Sequence, residues 1–317
     1  MESRSKTTLI AVAVALLTAL LVAPAEGKSR YRVGIGEQSA ALFSQQTFVD
    51  TRIKRVRYLV PWDWRHTDGQ RAEVAGYLAA ARAARKDVFV TFTARRGCWD
   101  GRYSRAKECR APSVRKFRKS FRNFRREYPW VRTYAPWNEA NHASQPISRK
   151  PKRAAKYYNV VRKHCRGCTI VALDVLDQSG MVRYVKRFRR KARGKPRRWG
   201  LHNYSDVNRK RSKGTRSLLR AVRGQVWLTE TGGIVTFEPN FPHSPNRAAL
   251  RTKYMFRLAK RYSKRRRGMK SRITRIYPYA WFGEDRGARW DAGLVTADGT
   301  PRKGYRVFKR KVRRLSK

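Results

Sequence analysis

The sequence predicts an α/β chain of the (β/α)8 TIM-barrel class, a single domain behind a short leader. Three observations predict it. First, β-rich segments recur along the chain, and each is followed by a stretch of helical periodicity. Second, there are eight such units in about 290 residues, near the ~250 typical of a closed barrel. Third, apolar residues make up 41% of the 317 positions and aromatics 12%, so a large core can form despite a formal net charge of +56. A basic disordered tail is thereby excluded, because such a tail cannot bury enough apolar surface to offset chain entropy. No low-complexity tract, collagen period or helical repeat is present.

Positions 1–25 read as a leader rather than as part of the fold. Arg4 and Lys6 start a basic end, positions 7–22 are almost wholly apolar, and Ala23-Pro24-Ala25 has the small-x-small form of a signal-peptidase site. A retained membrane anchor is the competing reading, since the apolar run approaches spanning length. The expectation is a signal peptide, with the domain at 26–317 secreted or held at the cell surface.

The candidate strands are 31–38, 55–63, 87–94, 131–139, 169–177, 198–206, 225–233 and 275–283. Each has a β-branched or aromatic centre and ends in polar, Gly or Pro residues. The candidate helices are 70–86, 112–127, 151–164, 180–193, 216–223, 246–264 and 305–315, with a shorter helix in 39–54. In 112–127, Val114, Phe117, Phe121 and Phe124 share one face. Alternation of strand and helix implies a parallel sheet. An open doubly wound sheet would want a Gly-rich fingerprint, but Gly34-x-Gly36 is followed by Ser39 rather than a third Gly.

The cysteines fit an exported chain. They are four, in two local pairs: Cys98 with Cys109, and Cys165 with Cys168. Two structural disulfides are expected. A bridge across the first loop would stabilise the fold by roughly 2–3 kcal/mol. A zinc site and a redox C-x-x-C are the alternatives.

Acidic residues are scarce, and they collect at strand ends. Glu37, Asp63, Glu139, Asp174, Asp177, Asp206, Glu230, Glu284 and Asp285 lie at or just past the C-terminal ends of the candidate strands. In a barrel those ends form one mouth, where active sites are built. Asp after a strand is commonly a turn residue or helix cap, so Asp63, Asp174, Asp177 and Asp206 have that reading at even odds. Glu is a poor cap, which makes Glu139 and Glu230 the informative pair. Two Glu facing each other across a mouth are what glycoside hydrolysis needs, one protonated and one ionised. Simple ion pairing of each Glu with a nearby Arg is the competing account.

The strings Trp137-Asn138-Glu139-Ala140-Asn141 and Thr229-Glu230-Thr231-Gly232 resemble those of the clan A glycoside hydrolases, the 4/7 superfamily. The resemblance runs from the first to the eighth strand. It is joined by Arg57 on the second strand, His202 and Tyr204 on the sixth, and Trp281 on the eighth. The resemblance implies a (β/α)8 barrel, Glu139 as general acid/base and Glu230 as nucleophile. It also implies Arg57 and Tyr204 beside the nucleophile, Asn138 at the sugar 2-hydroxyl and Trp281 beneath the sugar ring. Those roles need Glu139 raised in pKa and Glu230 kept charged. His202 would orient Glu139 or shuttle a proton, or else be a satisfied core histidine. The third strand ends Thr93-Ala94-Arg95, without the histidine frequent in family 5, which leaves family 39-like relatives open.

Aromatic residues gather at the same rim: Trp62, Trp64, Trp99, Trp137, Phe237, Phe241 and Trp290 join Tyr204 and Trp281. Sugar C–H faces pack on such rings. Trp281 is the first candidate platform, then Trp62 and Trp64, and the Pro-rich segment 236–246 is expected to form one wall. No cofactor is expected, and no metal cluster of convincing spacing is present. The expected partners are an oligo- or polysaccharide substrate and, by charge, anionic cell-surface polymers. No motif for specific nucleic-acid binding occurs, and a monomer is expected. A non-catalytic wall- or polyanion-binding barrel is the alternative function.

Overall fold

The computed structural model describes residues 31–315. The leader expected at positions 1–25 lies outside them. Among the described residues, no helix is long and apolar enough to cross a membrane.

The sheet is parallel, as alternation implies, and is organised as two five-stranded halves. One half holds Ile35–Gly36, Arg55–Pro61, Asp87–Thr93, Thr133–Ala135 and Thr169–Ile170 in that spatial order. The other holds Arg32–Val33, Ser271–Pro278, Gly224–Thr231, Arg198–His202 and Asp174–Leu176. The first predicted strand is shared, its two short pieces serving different halves. Gly36 bridges Tyr279 at that junction. A Cβ on Gly34 would lie 2.5 Å from the Tyr277 ring, so glycine is what permits this close approach. At the far side the fifth predicted strand is likewise split, and Ala172 N–H donates to the Arg198 carbonyl at 2.8 Å.

The helices follow their sequence signals. Asp68–Ala83 starts at Thr67, whose hydroxyl accepts from Gln70 N–H, and Val114–Glu127 starts at Ser113, which caps Lys116 N–H. Pro151–His164 has Pro in its first turn, where the missing N–H costs nothing. Each buries one apolar stripe. Phe117, Phe121 and Phe124 pack edge-on around Phe92 at 5.4–5.9 Å. Segment 39–54 is a 3-10 turn, Ala40–Phe43, and one helical turn, Gln46–Val49, rather than one helix. The sixth predicted strand stops at His202, and Tyr204–Asn208 is a short helix. Both expected disulfides, Cys98–Cys109 and Cys165–Cys168, are formed.

Candidate active site

Arg57 organises the site. It stands in the middle of strand Arg55–Pro61 with no exposed surface. A buried guanidinium must be paired on several sides, and it is. Nη1 donates to Glu230 Oε1 at 2.7 Å, and Nη2 donates to Asn138 Oδ1 at 2.8 Å and Asp174 Oδ2 at 2.9 Å. Burial disfavours its charged form, but Glu230 and Asp174 outweigh burial and raise its pKa.

Glu230 lies inside strand Gly224–Thr231, while Glu139 lies beyond the end of Thr133–Ala135. Glu139 takes a φ of +39°, a left-handed conformation that costs a non-glycine residue roughly 1–3 kcal/mol. Neighbouring hydrogen bonds hold it there. Its carbonyl accepts from His142 N–H at 2.7 Å, and Ala140 N–H donates to the Asp174 carbonyl at 2.9 Å.

Between the two Glu stands His202, fully buried. Its Nδ1 is 3.1 Å from Glu139 Oε1 and 3.5 Å from Glu230 Oε2, and its Nε2 faces Asp174 Oδ2 at 3.8 Å. One ligand atom from each of Glu139, His202 and Glu230 lies within 4.8 Å of the others. Such a cluster could hold a metal by geometry alone. Its donor set is already engaged, by Arg57 on Glu230 and by a proton on His202, so the cluster suits proton chemistry better.

The electrostatics depart from the expectation for Glu139. Burial favours its neutral form, but the hydrogen bond and charge of His202, with His142 and Arg57 behind, hold its pKa below the usual carboxylate value. A raised value was expected, and it is the histidine that is raised. Burial disfavours imidazolium, yet Glu230, Asp174 and Glu139 outweigh that and raise His202 to about 9. His202 Nδ1 is one hydrogen bond from Glu139 Oε1, and the groups titrate together.

Asp174 is a member of this network rather than a helix cap. It is fully buried and accepts from Thr229 Oγ1 at 3.0 Å, Thr91 Oγ1 at 3.3 Å and Arg57. Burial favours protonation, but Arg57 and His202 prevail and lower its pKa. Space for it comes from Gly200, where a Cβ would sit 1.8 Å from Asp174 Oδ1. The capping reading does describe Asp177 and Asp206. Asp177 accepts from Ser205 N–H and Asp206 N–H, and Asp206 from Gly214 N–H and Thr215 N–H. Glu37 joins the first strand to the last, accepting from Trp281 N–H at 2.9 Å and Phe282 N–H at 3.0 Å.

Asn138 and Tyr204 also reach the site. The Tyr204 hydroxyl is 3.4 Å from both Glu230 Oε2 and the Tyr279 carbonyl. Trp281 does not. Its ring is fully buried in the core against Phe48, Tyr305 and Phe308, at 5.3–6.2 Å. The expected sugar platform is thus a core residue. The physical reason is that the strand stops at Pro278, so strand alternation no longer sets where position 281 points. Tyr279 and Trp290 are the half-buried aromatics on this side, 5.8 Å apart, with Trp290 6.0 Å from Tyr204. Tyr279 was missed because the Trp two residues on carried the stronger signal.

Trp64 is likewise core, packed edge-on to Phe124 at 5.5 Å. Trp62 is half-buried and lines a separate hollow of about 480 Å³ with Asp63, His66 and Arg95, which includes neither Glu139 nor Glu230. Trp99, 43% exposed on the Cys98–Cys109 loop, lies 5.9 Å from His142, which is 3.7 Å from Glu139.

No family model and no curated protein sequence matches the chain. Solved structures do. A GH5_18 enzyme from Streptomyces cattleya in complex with GlcNAc matches over 91% of this chain and 81% of its own, with TM-score 0.64 and 15% identity. Xylanase XynB from Paenibacillus barcinonensis matches over 88% and 95%, with TM-score 0.60 and 11% identity. Xylanase 10B from Thermotoga maritima matches over 90% and 96%, with TM-score 0.57 and 11% identity. The fold is that of family 5 and family 10 glycoside hydrolases. The likeness covers about nine-tenths of the chain and concerns the fold.

Proposed function

We propose that the two sheet halves close as a (β/α)8 barrel and that the chain is an exported, retaining hydrolase of a β-linked glycan. The observation that carries this reading is the convergence of Glu139 and Glu230 on His202, with one ligand atom of each of the three within 4.8 Å of the others. Retaining enzymes hold their carboxyl groups roughly 5–5.5 Å apart, whereas inverting enzymes need ~6.5–9.5 Å to admit a water.

In the first step a Glu230 oxygen attacks the anomeric carbon and the bond to the leaving oxygen breaks. Glu139 gives that oxygen its proton. The proton comes from the shared hydrogen bond with His202 Nδ1. Arg57 fixes Glu230 through Oε1, leaving Oε2 for attack or for Tyr204. Asn138, pinned by its Oδ1 to Arg57, has its NH2 group left for a sugar hydroxyl. Once Glu230 is esterified its charge is gone, and with it the strongest attraction holding the proton on His202. In the second step Glu139, now a carboxylate, takes a proton from water as its oxygen attacks the anomeric carbon and releases Glu230. Tyr204, Tyr279 and Trp290 provide the apolar wall for the sugar.

The neighbours support a glycan substrate, since their structures hold GlcNAc, Manb1-4GlcNAc and xylohexaose. Export is read from the apolar leader, and both disulfides agree with it. The test is Glu230→Ala assayed on aryl β-glycosides. Turnover is expected to fall by about 10⁴-fold or more, with azide or formate restoring part of it. Unchanged turnover rejects the mechanism.

A further inference from the structure

The positive charge is not spread evenly over the outside. Four hollows, of about 460, 660, 740 and 760 Å³, lie along the outer helices on one side. Shared residues join them into one track. The first reaches the rim at Asn141, two positions from Glu139, and continues to Arg149 and Arg187. Both arginines also line the second hollow. Lys156 links the second to the third, and Arg118 with His164 links the third to the fourth. No Asp or Glu lines any of the four.

The sequence explains why. Between positions 128 and 205 the acidic residues are Glu139, Asp174 and Asp177. The first two belong to the active site, and the third caps a helix. Nothing remains to neutralise helix Pro151–His164 or Met181–Arg189, and Glu127, which ends helix Val114–Glu127, is paired with Arg65 and Arg71. Arg118, Arg149, Lys156 and Arg187 are exposed, and among the described residues they make no hydrogen bond or ion pair. Elsewhere the surface does pair its charges, as in Arg96–Glu73, Arg55–Asp87 and Lys309–Asp50.

We propose that this track holds an acidic polysaccharide whose chain enters the mouth beside Asn141, so that the substrate class is a carboxylate-bearing glycan. The proposal rests on the glycosidase reading above. Like charges crowded within a Debye length, about 8 Å at physiological salt, repel one another until a polyanion neutralises them. Guanidinium groups suit carboxylates, which they can bind through two parallel hydrogen bonds. A glycan is favoured over nucleic acid because the track ends at Asn141, two positions along the chain from Glu139.

The experiment compares the full chain with two quadruple variants. The first carries Arg118→Gln, Arg149→Gln, Lys156→Gln and Arg187→Gln on the track. The second carries Lys253→Gln, Lys260→Gln, Arg306→Gln and Arg310→Gln on other helices. Binding to polygalacturonate, to neutral dextran and to duplex DNA is measured across a salt series, and turnover of a neutral aryl β-glycoside is measured beside it. The track variant should bind polygalacturonate about tenfold more weakly at physiological salt, with a log–log salt slope shallower by about two to four. The other variant should stay near the parent, and dextran should not bind. Equal loss in both variants would mean that net charge alone binds and would overturn the proposal. So would tighter binding to DNA than to polygalacturonate at equal salt. Parent binding of polygalacturonate without turnover of any glycoside defeats the glycosidase reading but leaves the polyanion track standing. Aryl-glycoside turnover with no polygalacturonate binding does the reverse.

Discussion

The candidate site and the outer helices are built from the same kinds of charged residue and use them in opposite ways. At the site, Arg57 is fully buried and meets Glu230, Asp174 and Asn138 within 2.7–2.9 Å. On the outside, Arg118 and Arg187 are exposed and unpaired. In a low-dielectric interior each contact is strong, and an orphaned charge is costly. On the surface, water screens each charge, so single cations matter little to folding and a great deal to the long-range field. A net charge of +56 therefore describes the exterior and says little about the site.

That contrast is breakable. The largest effect is expected from Arg57→Met, which leaves Asp174 and Glu230 buried without their cation. Urea unfolding should show a loss of about 3–5 kcal/mol. A loss below about 1 kcal/mol would mean that the acids shed their charge and that the network is not ionic. Next is Gly200→Ala, whose methyl group would collide with Asp174 Oδ1. A loss of about 1–3 kcal/mol, with reduced turnover, is expected if Asp174 must stay in place.

Titration of His202 gives the third test. Its folded pKa, about 9, is above the ordinary 6.5, because Glu230 and its fellow carboxylates overcome the effect of burial. The stability that this proton contributes is thus complete below pH 6.5 and is lost as pH rises toward 9. For one proton the slope is at most about 1.4 kcal/mol per pH unit. His202→Gln should flatten the slope of unfolding free energy over that window, and a slope unchanged by the substitution would assign it elsewhere. The smallest effect is expected outside: Arg187→Gln should change stability by no more than about 0.5 kcal/mol. A larger loss in the same urea assay would reveal an unseen structural role and weaken the contrast.

Much of the site was legible because its signals are local. Glu139 sits in Trp-Asn-Glu and Glu230 in Thr-Glu-Thr-Gly, each at a strand end, and the eight alternating units order those ends. Arg57 was legible only through the resemblance to the clan A strings, which implies an arginine of the second strand beside the nucleophile. Trp281 and Trp64 were misplaced because an aromatic just past a strand can turn to the core or to the mouth. Asp174 was underrated because Asp after a strand is usually a cap, and its partners Thr91, Thr229 and Arg57 come from three distant segments.

Hydrophobic period and residue type, which act over a few positions, determined by themselves the order of strands and helices and the two paired cysteine loops, while the two Glu stood out through the resemblance of their strings to those of the clan A enzymes. Only the tertiary structure decided that Trp281 and Trp64 pack in the core, that His202 stands between Glu139 and Glu230 with a raised pKa, and that the hollows along the outer helices share their cations. Those outcomes depend on distances between residues far apart in the chain, and Coulomb energies and burial are functions of those distances.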